Sequence, residues 1–198
     1  MKAIIFDIGG VVLHVSKFYD KLTERYGETP DSFIGKTRHS FLLCQKGKIR
    51  YEEYWQRAAK KIPLIKQEDI RRVTTEVNKT HKNDRLNKDV VKLIQALHKK
   101  YRLACLTNTI DEHYSHNEEK GVYRLFDVVV ASNKVGMAKP YRNIYRHTLK
   151  LLKVKPEEAV FIDDRPEYVK PAKELGMKGI RFKNASQLQQ DLSKIGVM

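Results

Sequence analysis

Short apolar runs alternate with amphipathic helices from Lys88 onward, and this alternation limits the fold more than any other feature of the sequence. Helical periodicity separates the runs, which have the length and aliphatic content of buried strands. They cover residues 102–107, 128–131, 159–162 and 179–182, and a similar run, 2–6, opens the chain. Strands that alternate with helices are typical of open parallel sheets. We therefore predict an α/β fold, an open parallel sheet flanked by helices.

Residues 15–84 interrupt this pattern with helical periodicity and no convincing strand. Apolar and aromatic residues recur there at helical spacing in three groups: Phe18, Leu22 and Tyr26; Tyr51, Tyr54, Trp55 and Ala58; Ile70, Val73 and Val77. Residues that favour breaks between helices punctuate the block: Gly27, Gly35, Gly47 and Pro63. We predict an all-helical domain over 15–84, inserted into a sheet domain made of 1–14 and 85–198.

Composition excludes several classes of protein. The formal net charge is +15 over 198 residues, but the basic excess is spread in proportion to length and no nucleic-acid-reading motif occurs. We therefore expect a solvated lysine-rich surface rather than nucleic-acid binding. Two cysteines are too few for a disulfide framework. No apolar run reaches the ~18 residues of a membrane helix, and the chain opens directly into a strand, so we expect a soluble cytoplasmic protein without a signal peptide or membrane partner.

Polar residues with complementary chemistry follow the predicted strands. Ligands of open parallel sheets bind where the strands end, and the residues at those ends are Asp7, Thr107, Asn108, Lys139, Asp163 and Asp164. A cation held by carboxylates, together with an amine, offsets the repulsion between an attacking carboxylate and a phosphate. Mg²⁺ prefers such oxygen ligands, and an aspartate nucleophile forms a covalent aspartyl-phosphate. The set therefore indicates phosphoryl transfer.

Four segments resemble, in order and spacing, the four motifs of the haloacid dehalogenase (HAD) superfamily: Phe6–Val12, Leu106–Asn108, Val135–Pro140 and Phe161–Asp164. The helical block lies where the helical-cap subclass of that superfamily carries its cap. The resemblance implies a Rossmann-like core with an inserted all-helical cap and a Mg²⁺ cofactor. It also implies a phosphatase of small phosphorylated metabolites, with sugar phosphates as the leading class.

The same resemblance assigns the metal site. Asp7 would be both nucleophile and metal ligand, the backbone carbonyl of Gly9 a second ligand, and Asp164 a third. Asp163 would be an auxiliary acid at the edge of the metal site.

The resemblance also assigns substrate contacts. Thr107, with Asn108 beside it, would bind the phosphoryl group, and Lys139 would neutralise charge on nucleophile and phosphate. Thr107 and Lys139 would thus complete the catalytic set with Asp7. Tyr168 stands where many relatives carry Asn, which we interpret as a lost supporting contact.

Gly9 is a serious departure from the superfamily pattern. The phosphatases usually have there a second aspartate, which protonates the leaving group and then activates water. General acid–base catalysis of this kind contributes roughly 10²–10⁴-fold. Without it we expect a preference for good leaving groups such as aryl, acyl or anomeric phosphates.

Other interpretations stay open. Asp7 is compatible with a helix-capping turn, the Asp163–Asp164 pair with an exposed turn, Lys139 with one surface lysine among many, and Thr107 with a simple strand end. The alternative functions are a weakly active or non-catalytic scaffold that binds phosphorylated ligands, a 2-haloacid dehalogenase, and charge-driven nucleic-acid binding.

The histidines and the basic residues of the insert carry no motif. We interpret His14, His113 and His116 as surface or packing residues. A small basic cluster, Lys36, Arg38 and His39, is interpreted as a solvated face.

Overall fold

Strands alternate with helices along most of the computed structural model, which describes residues 1–14 and 23–198. The strands are β1 (Ala3–Phe6), β2 (Leu13–His14), β3 (Arg85–Leu86), β4 (Arg102–Thr107), β5 (Val128–Ala131), β6 (Ala159–Asp163) and β7 (Lys178–Arg181). The α-helices are α1 (Pro30–Gln45), α2 (Tyr51–Ala59), α3 (Ile70–Lys82), α4 (Lys88–His98), α5 (Asp111–Glu119), α6 (Ser132–Val135), α7 (Arg142–Leu152), α8 (Pro166–Glu174) and α9 (Ala185–Lys194). Short 3₁₀ turns cover Gln67–Asp69, Val122–Leu125 and Pro156–Glu158.

The core is a five-stranded parallel sheet in the order β5-β4-β1-β6-β7, with β1 at its centre. Every residue of β1 and β6 is buried, as expected for strands covered on both faces. Helices α4 and α9 pack on one face, and α7 and α8 on the other. The predicted α/β class is confirmed, and β7 begins one residue earlier than the predicted run 179–182.

Helices α1 to α3 form a separate hydrophobic core. Its largest buried side chains are Tyr51, Tyr54 and Trp55, and among its described buried members only Ile110 comes from the sheet region. The predicted helical residues Phe18 and Leu22 lie outside the described part of the chain. This separate core supports the division into an insert, 15–84, and a sheet domain, 1–14 and 85–198, which stays a prediction.

The prediction of a helix break at Gly35 was wrong, because this residue lies inside α1. An exposed glycine in a helix costs only about 1 kcal/mol relative to alanine. The start of α1 is well defined: the hydroxyl of Thr29 accepts a hydrogen bond from Ser32 N–H, and Pro30 occupies the first helical position. These features hold the helix through Gly35.

A two-stranded antiparallel ribbon, β2 with β3, joins the insert to the sheet region. Leu13 pairs with Leu86 and His14 with Arg85, and Asn87 N–H donates to Val12 O at 2.8 Å. The chain therefore enters and leaves the insert side by side. Among the described helices, none combines the length and the apolar character needed to cross a membrane.

Candidate active site

The central strands deliver three carboxylates to one edge of the sheet. Asp7 follows β1, Asp163 ends β6, and Asp164 is the next residue. Phe6 is in register with Ile162, and Asp7 N–H donates to Ile162 O at 2.9 Å, so the carboxylates stand side by side. One oxygen from each of the three lies within 4.8 Å of the others.

Lys139 is the cation of this cluster and is almost wholly buried, at 1% exposure. Its Nζ lies 3.0 Å from Asp7 Oδ1 and 2.6 Å from Asp163 Oδ2. Burial opposes the charged ammonium, but the two carboxylates outweigh it and raise the pKa of Lys139 above its usual value. Lys139 is therefore a permanent positive charge, shared by two acids.

Asn108 positions Lys139 through its side-chain amide. Its Nδ2 donates to Lys139 O at 2.9 Å, and its Oδ1 accepts from Lys139 N–H at the same distance. The strand end at Thr107 thereby fixes the segment that follows β5. This contact gives Asn108 a supporting role that the sequence interpretation did not include.

Asp7 is buried, with 6% exposure, and its carboxylate is oriented by Ile8 N–H, which donates to Oδ1 at 2.7 Å. Burial raises the pKa of Asp7 to about 7, and the nearby Asp163 acts in the same direction, while Lys139 opposes the rise. One ammonium thus does not compensate two buried carboxylates. A further cation at this place would favour the ionised form.

The donor set fits a divalent cation. When all three are ionised, Asp7, Asp163 and Asp164 carry three negative charges against one positive charge on Lys139, an excess of two. Asp164 Oδ1 is buried and accepts no hydrogen bond from any described residue, and burial, with Asp163 beside it, raises the pKa of Asp164. Asp163 is the least available, because its Oδ1 accepts from Arg165 N–H at 2.9 Å and its Oδ2 pairs with Lys139.

The turn after β1 brings the backbone against Asp164. Gly10 has φ +78°, a left-handed conformation that favours glycine. A Cβ at this position would lie 2.5 Å from Asp164 Oδ2. The turn can therefore pack this closely against Asp164 only because Gly10 has no side chain.

A cleft of about 530 Å³ opens above the carboxylates. Besides the predicted site residues Asp7, Gly9, Thr107, Asn108, Lys139 and Asp164, it is lined by His14, Gln45, Arg165 and Tyr168. Asp163 is fully buried behind the cleft. Lys36, Arg38 and His39 are exposed on α1 and are not among the described lining residues.

The sequence interpretation gave Tyr168 no contact in the site and missed the pocket beside Gly9. The Lys139 ammonium lies 4.9 Å from the centre of the Tyr168 ring, so this aromatic ring faces the cation where we expected only a lost contact. A smaller pocket next to the cleft is lined by His81, Asp84, His113 and Asn117 among others. Helical spacing predicted α3, but the sequence analysis did not predict α5, and no motif marked these side chains.

The comparisons with known proteins agree with this architecture. The family model for haloacid dehalogenase-like hydrolases matches residues 1–176, and the chain therefore belongs to this family of hydrolases. A HAD-family enzyme from Bacteroides thetaiotaomicron has the same fold, with a TM-score of 0.73, 22% identity, and coverage of 93% of this chain and 94% of that one. The same enzyme was also solved in complex with magnesium and inorganic phosphate, at a TM-score of 0.69.

Curated relatives match over shorter segments. Bifunctional epoxide hydrolase 2 from Rattus norvegicus is 40% identical over 70 residues, which is 35% of this chain and 13% of that protein. Glyceraldehyde 3-phosphate phosphatase from Methanocaldococcus jannaschii is 40% identical over 63 residues, 31% of this chain and 28% of that one. The matched segments thus span less than a third of these relatives.

Proposed function

We propose that this protein is a magnesium-dependent phosphatase of small phosphorylated metabolites, with sugar phosphates as the leading class. The observation that carries the proposal is the buried cluster in which Lys139 joins Asp7 to Asp163 beside Asp164. Its excess negative charge suits a divalent cation, and the curated relatives include a phosphatase of a phosphorylated triose.

Asp7 would act as the nucleophile. One carboxylate oxygen attacks phosphorus, the bond from phosphorus to the leaving oxygen breaks, and that oxygen leaves with the bonding electrons. Water then attacks the aspartyl-phosphate, which releases phosphate and restores Asp7. Lys139 and Ile8 N–H hold the carboxylate in position, and Thr107 lines the cleft where the phosphoryl group would lie.

Asp7, Asp164 and the carbonyl of Gly9 would hold Mg²⁺, with Asp163 supporting through Lys139. The bound ion would supply positive charge to the phosphoryl oxygens and to the attacking carboxylate. Lys139, whose Nζ lies 3.0 Å from Asp7 Oδ1, would provide further positive charge. The raised pKa of Asp7 means that its ionised, nucleophilic form needs this additional positive charge at neutral pH.

Gly9 would limit the range of substrates. It lines the cleft but offers no group that protonates the leaving oxygen. Leaving groups that depart as stable anions, such as phenolates, need no such proton, whereas simple alkoxides do. We therefore expect faster turnover of aryl than of alkyl phosphates.

The test is hydrolysis of 4-nitrophenyl phosphate with and without Mg²⁺. We expect Mg²⁺-dependent release of phosphate, abolished in Asp7→Asn and retained in Asp111→Asn, a control at an exposed carboxylate paired with Lys134. Equal turnover in wild type and Asp7→Asn would contradict the nucleophile assignment.

Gly9 specifically favours a second candidate, a scaffold with little or no turnover that binds phosphorylated ligands. In that case 4-nitrophenyl phosphate would leave a phosphorylated Asp7 that persists, or no reaction at all. Mass spectrometry of the quenched protein distinguishes the two. The carboxylate pair Asp163–Asp164 does not favour the dehalogenase alternative, because attack on carbon needs no metal.

A further inference from the structure

A second pocket, of about 180 Å³, adjoins the phosphate cleft beside Gly9. Gly9, Thr107 and Asn108 line both cavities. The predicted helical insert also contributes to the lining, with Phe41 on α1 and Val77 on α3. If a phosphate occupies the cleft, the leaving group bonded to it can lie in this adjoining pocket.

The charge of this pocket is unusual for so basic a protein. Among the described residues that line it there is no lysine and no arginine, although the net charge is +15. Its carboxylate is Asp84, whose Oδ2 lies 2.8 Å from His81 Nδ1. An anionic substituent placed here would lose hydration beside a carboxylate. The ammonium of Lys120 is not among the described lining groups and donates to the carbonyls of His81 and Asp84 at 3.0 Å.

Two stacked imidazoles form the polar wall. The rings of His81 and His113 are nearly parallel, at 16°, with centroids 3.8 Å apart. Burial lowers the pKa of His113 well below its usual value, and His81, His116 and Lys120 act in the same direction. His113 is therefore neutral at pH 7 and offers a ring nitrogen for a hydrogen bond rather than a positive charge.

Several polar atoms of the lining residues have no partner among the residues that the structure describes. They are Nε2 of His81, Nε2 of His113 and Oδ1 of Asn117. Asn117 has only 3% exposure, and its side chain also hydrogen-bonds to Tyr123. Buried polar atoms are normally hydrogen-bonded. A ligand with hydroxyl groups would satisfy them, beside the apolar surface of Phe41 and Val77.

We propose that this pocket selects phosphate monoesters whose leaving group is compact, uncharged and hydrogen-bonding, and that His113 and Asn117 are specificity-determining residues. The inference rests on the proposed phosphatase function and names its substrate class. Pockets for drug-sized ligands measure about 300–1,000 Å³, so a volume of about 180 Å³ favours a compact leaving group. A hydroxylated leaving group fits, and one that carries a carboxylate or a second phosphate does not.

Three aryl phosphates test the charge rule: phenyl phosphate, 3-(hydroxymethyl)phenyl phosphate and 3-carboxyphenyl phosphate, each with Mg²⁺. The meta substituents leave the phenols close in acidity, so differences in kcat/KM report the pocket rather than the chemical step. We expect the hydroxymethyl compound to exceed the carboxylate compound by about tenfold or more, because the anion would be buried beside Asp84 with no lysine or arginine in the described lining. Equal or faster turnover of the carboxylate compound, with phenyl phosphate active, would overturn this inference and leave the phosphatase function standing.

Variants test the named residues through a ratio of substrates. His113→Phe keeps a planar ring without nitrogen, and Asn117→Leu keeps the size of the side chain. In each, the ratio of kcat/KM for the hydroxymethyl compound to that for phenyl phosphate should fall about five- to tenfold, the effect of one lost neutral hydrogen bond. The control is His39→Phe, at an exposed position of α1, where the ratio should not change.

The outcomes separate the two levels of the proposal. A ratio unchanged in both His113→Phe and Asn117→Leu would overturn the specificity assignment. Failure of the wild type on all three compounds would remove the phosphatase function and this inference with it. The charge comparison uses the wild type alone, so it holds even if a variant does not fold.

Discussion

Lys139→Met is the substitution whose effect follows most directly from the site. The methionine keeps most of the length of the side chain and removes the ammonium that Asp7 and Asp163 share at 3.0 and 2.6 Å. Both carboxylates are then buried without their cation. Breaking a buried ion pair on one side costs about 3–5 kcal/mol, which corresponds to a fall in Tm of roughly 6–20 °C for a chain of this length.

The cost should depend on pH in a defined direction. Burial raises the pKa of Asp7 from 3.8 to about 7 in the folded protein, so folding favours the protonated acid. The associated stability is fully present below pH 3.8 and is lost as the pH rises through about 7. Removal of Lys139 raises this pKa further, so Lys139→Met should be much more destabilising at pH 8 than at pH 5.

Urea unfolding at pH 5 and pH 8, without divalent ions, measures both effects. The matched control is Lys134→Met, because Lys134 pairs with Asp111 at 3.2 Å and both side chains are more than half exposed. Exposed pairs contribute about 1 kcal/mol or less. A cost for Lys139→Met that matches the control, or that is the same at both pH values, would refute the reasoning.

Three further predictions follow from the same cluster. Gly10→Ala should abolish the Mg²⁺-induced rise in Tm, because its Cβ would lie 2.5 Å from Asp164 Oδ2. The control Gly136→Ala, also at positive φ but with no atom within 4 Å of its Cβ, should keep the rise. Equal Mg²⁺ midpoints in the two variants would contradict this prediction. In the absence of metal, wild-type stability should decline between pH 5 and 8, and Asp7→Asn should flatten this decline in a thermal-shift series. Gly9→Asp should raise kcat/KM on alkyl phosphates by about 10²-fold or more and on aryl phosphates far less; an equal gain on both would refute the leaving-group argument.

The sheet was predictable because its strands are buried on both faces. A strand of this kind is a short, continuous apolar run, and residues 159–162 form such a run between two predicted helices. The structure has β6 there. The ribbon of β2 and β3 was not predicted, since two residues in each strand carry no periodicity. Its pairing depends on where the insert leaves and rejoins the sheet, which is tertiary information.

The candidate site was predictable to the level of strand ends. Parallel strands place their carboxyl ends at one edge, so the approach of Asp7 to Asp163 follows from topology. The link between Asn108 and the backbone of Lys139, and the stacking of His81 on His113, depend on how loops and helices pack. Sequence spacing does not encode those contacts.

The two adjacent glycines of the turn after β1 differ in why a side chain is absent. Gly10 adopts φ +78° against Asp164, so backbone geometry and contact both account for it. Gly9 does not have a positive φ, so its backbone conformation does not demand glycine. Its effect is then chemical: the position beside both cavities lacks a carboxylate. An aspartate there does not require a left-handed backbone, so the dependence of Gly9→Asp turnover on the leaving group measures what the missing acid contributes.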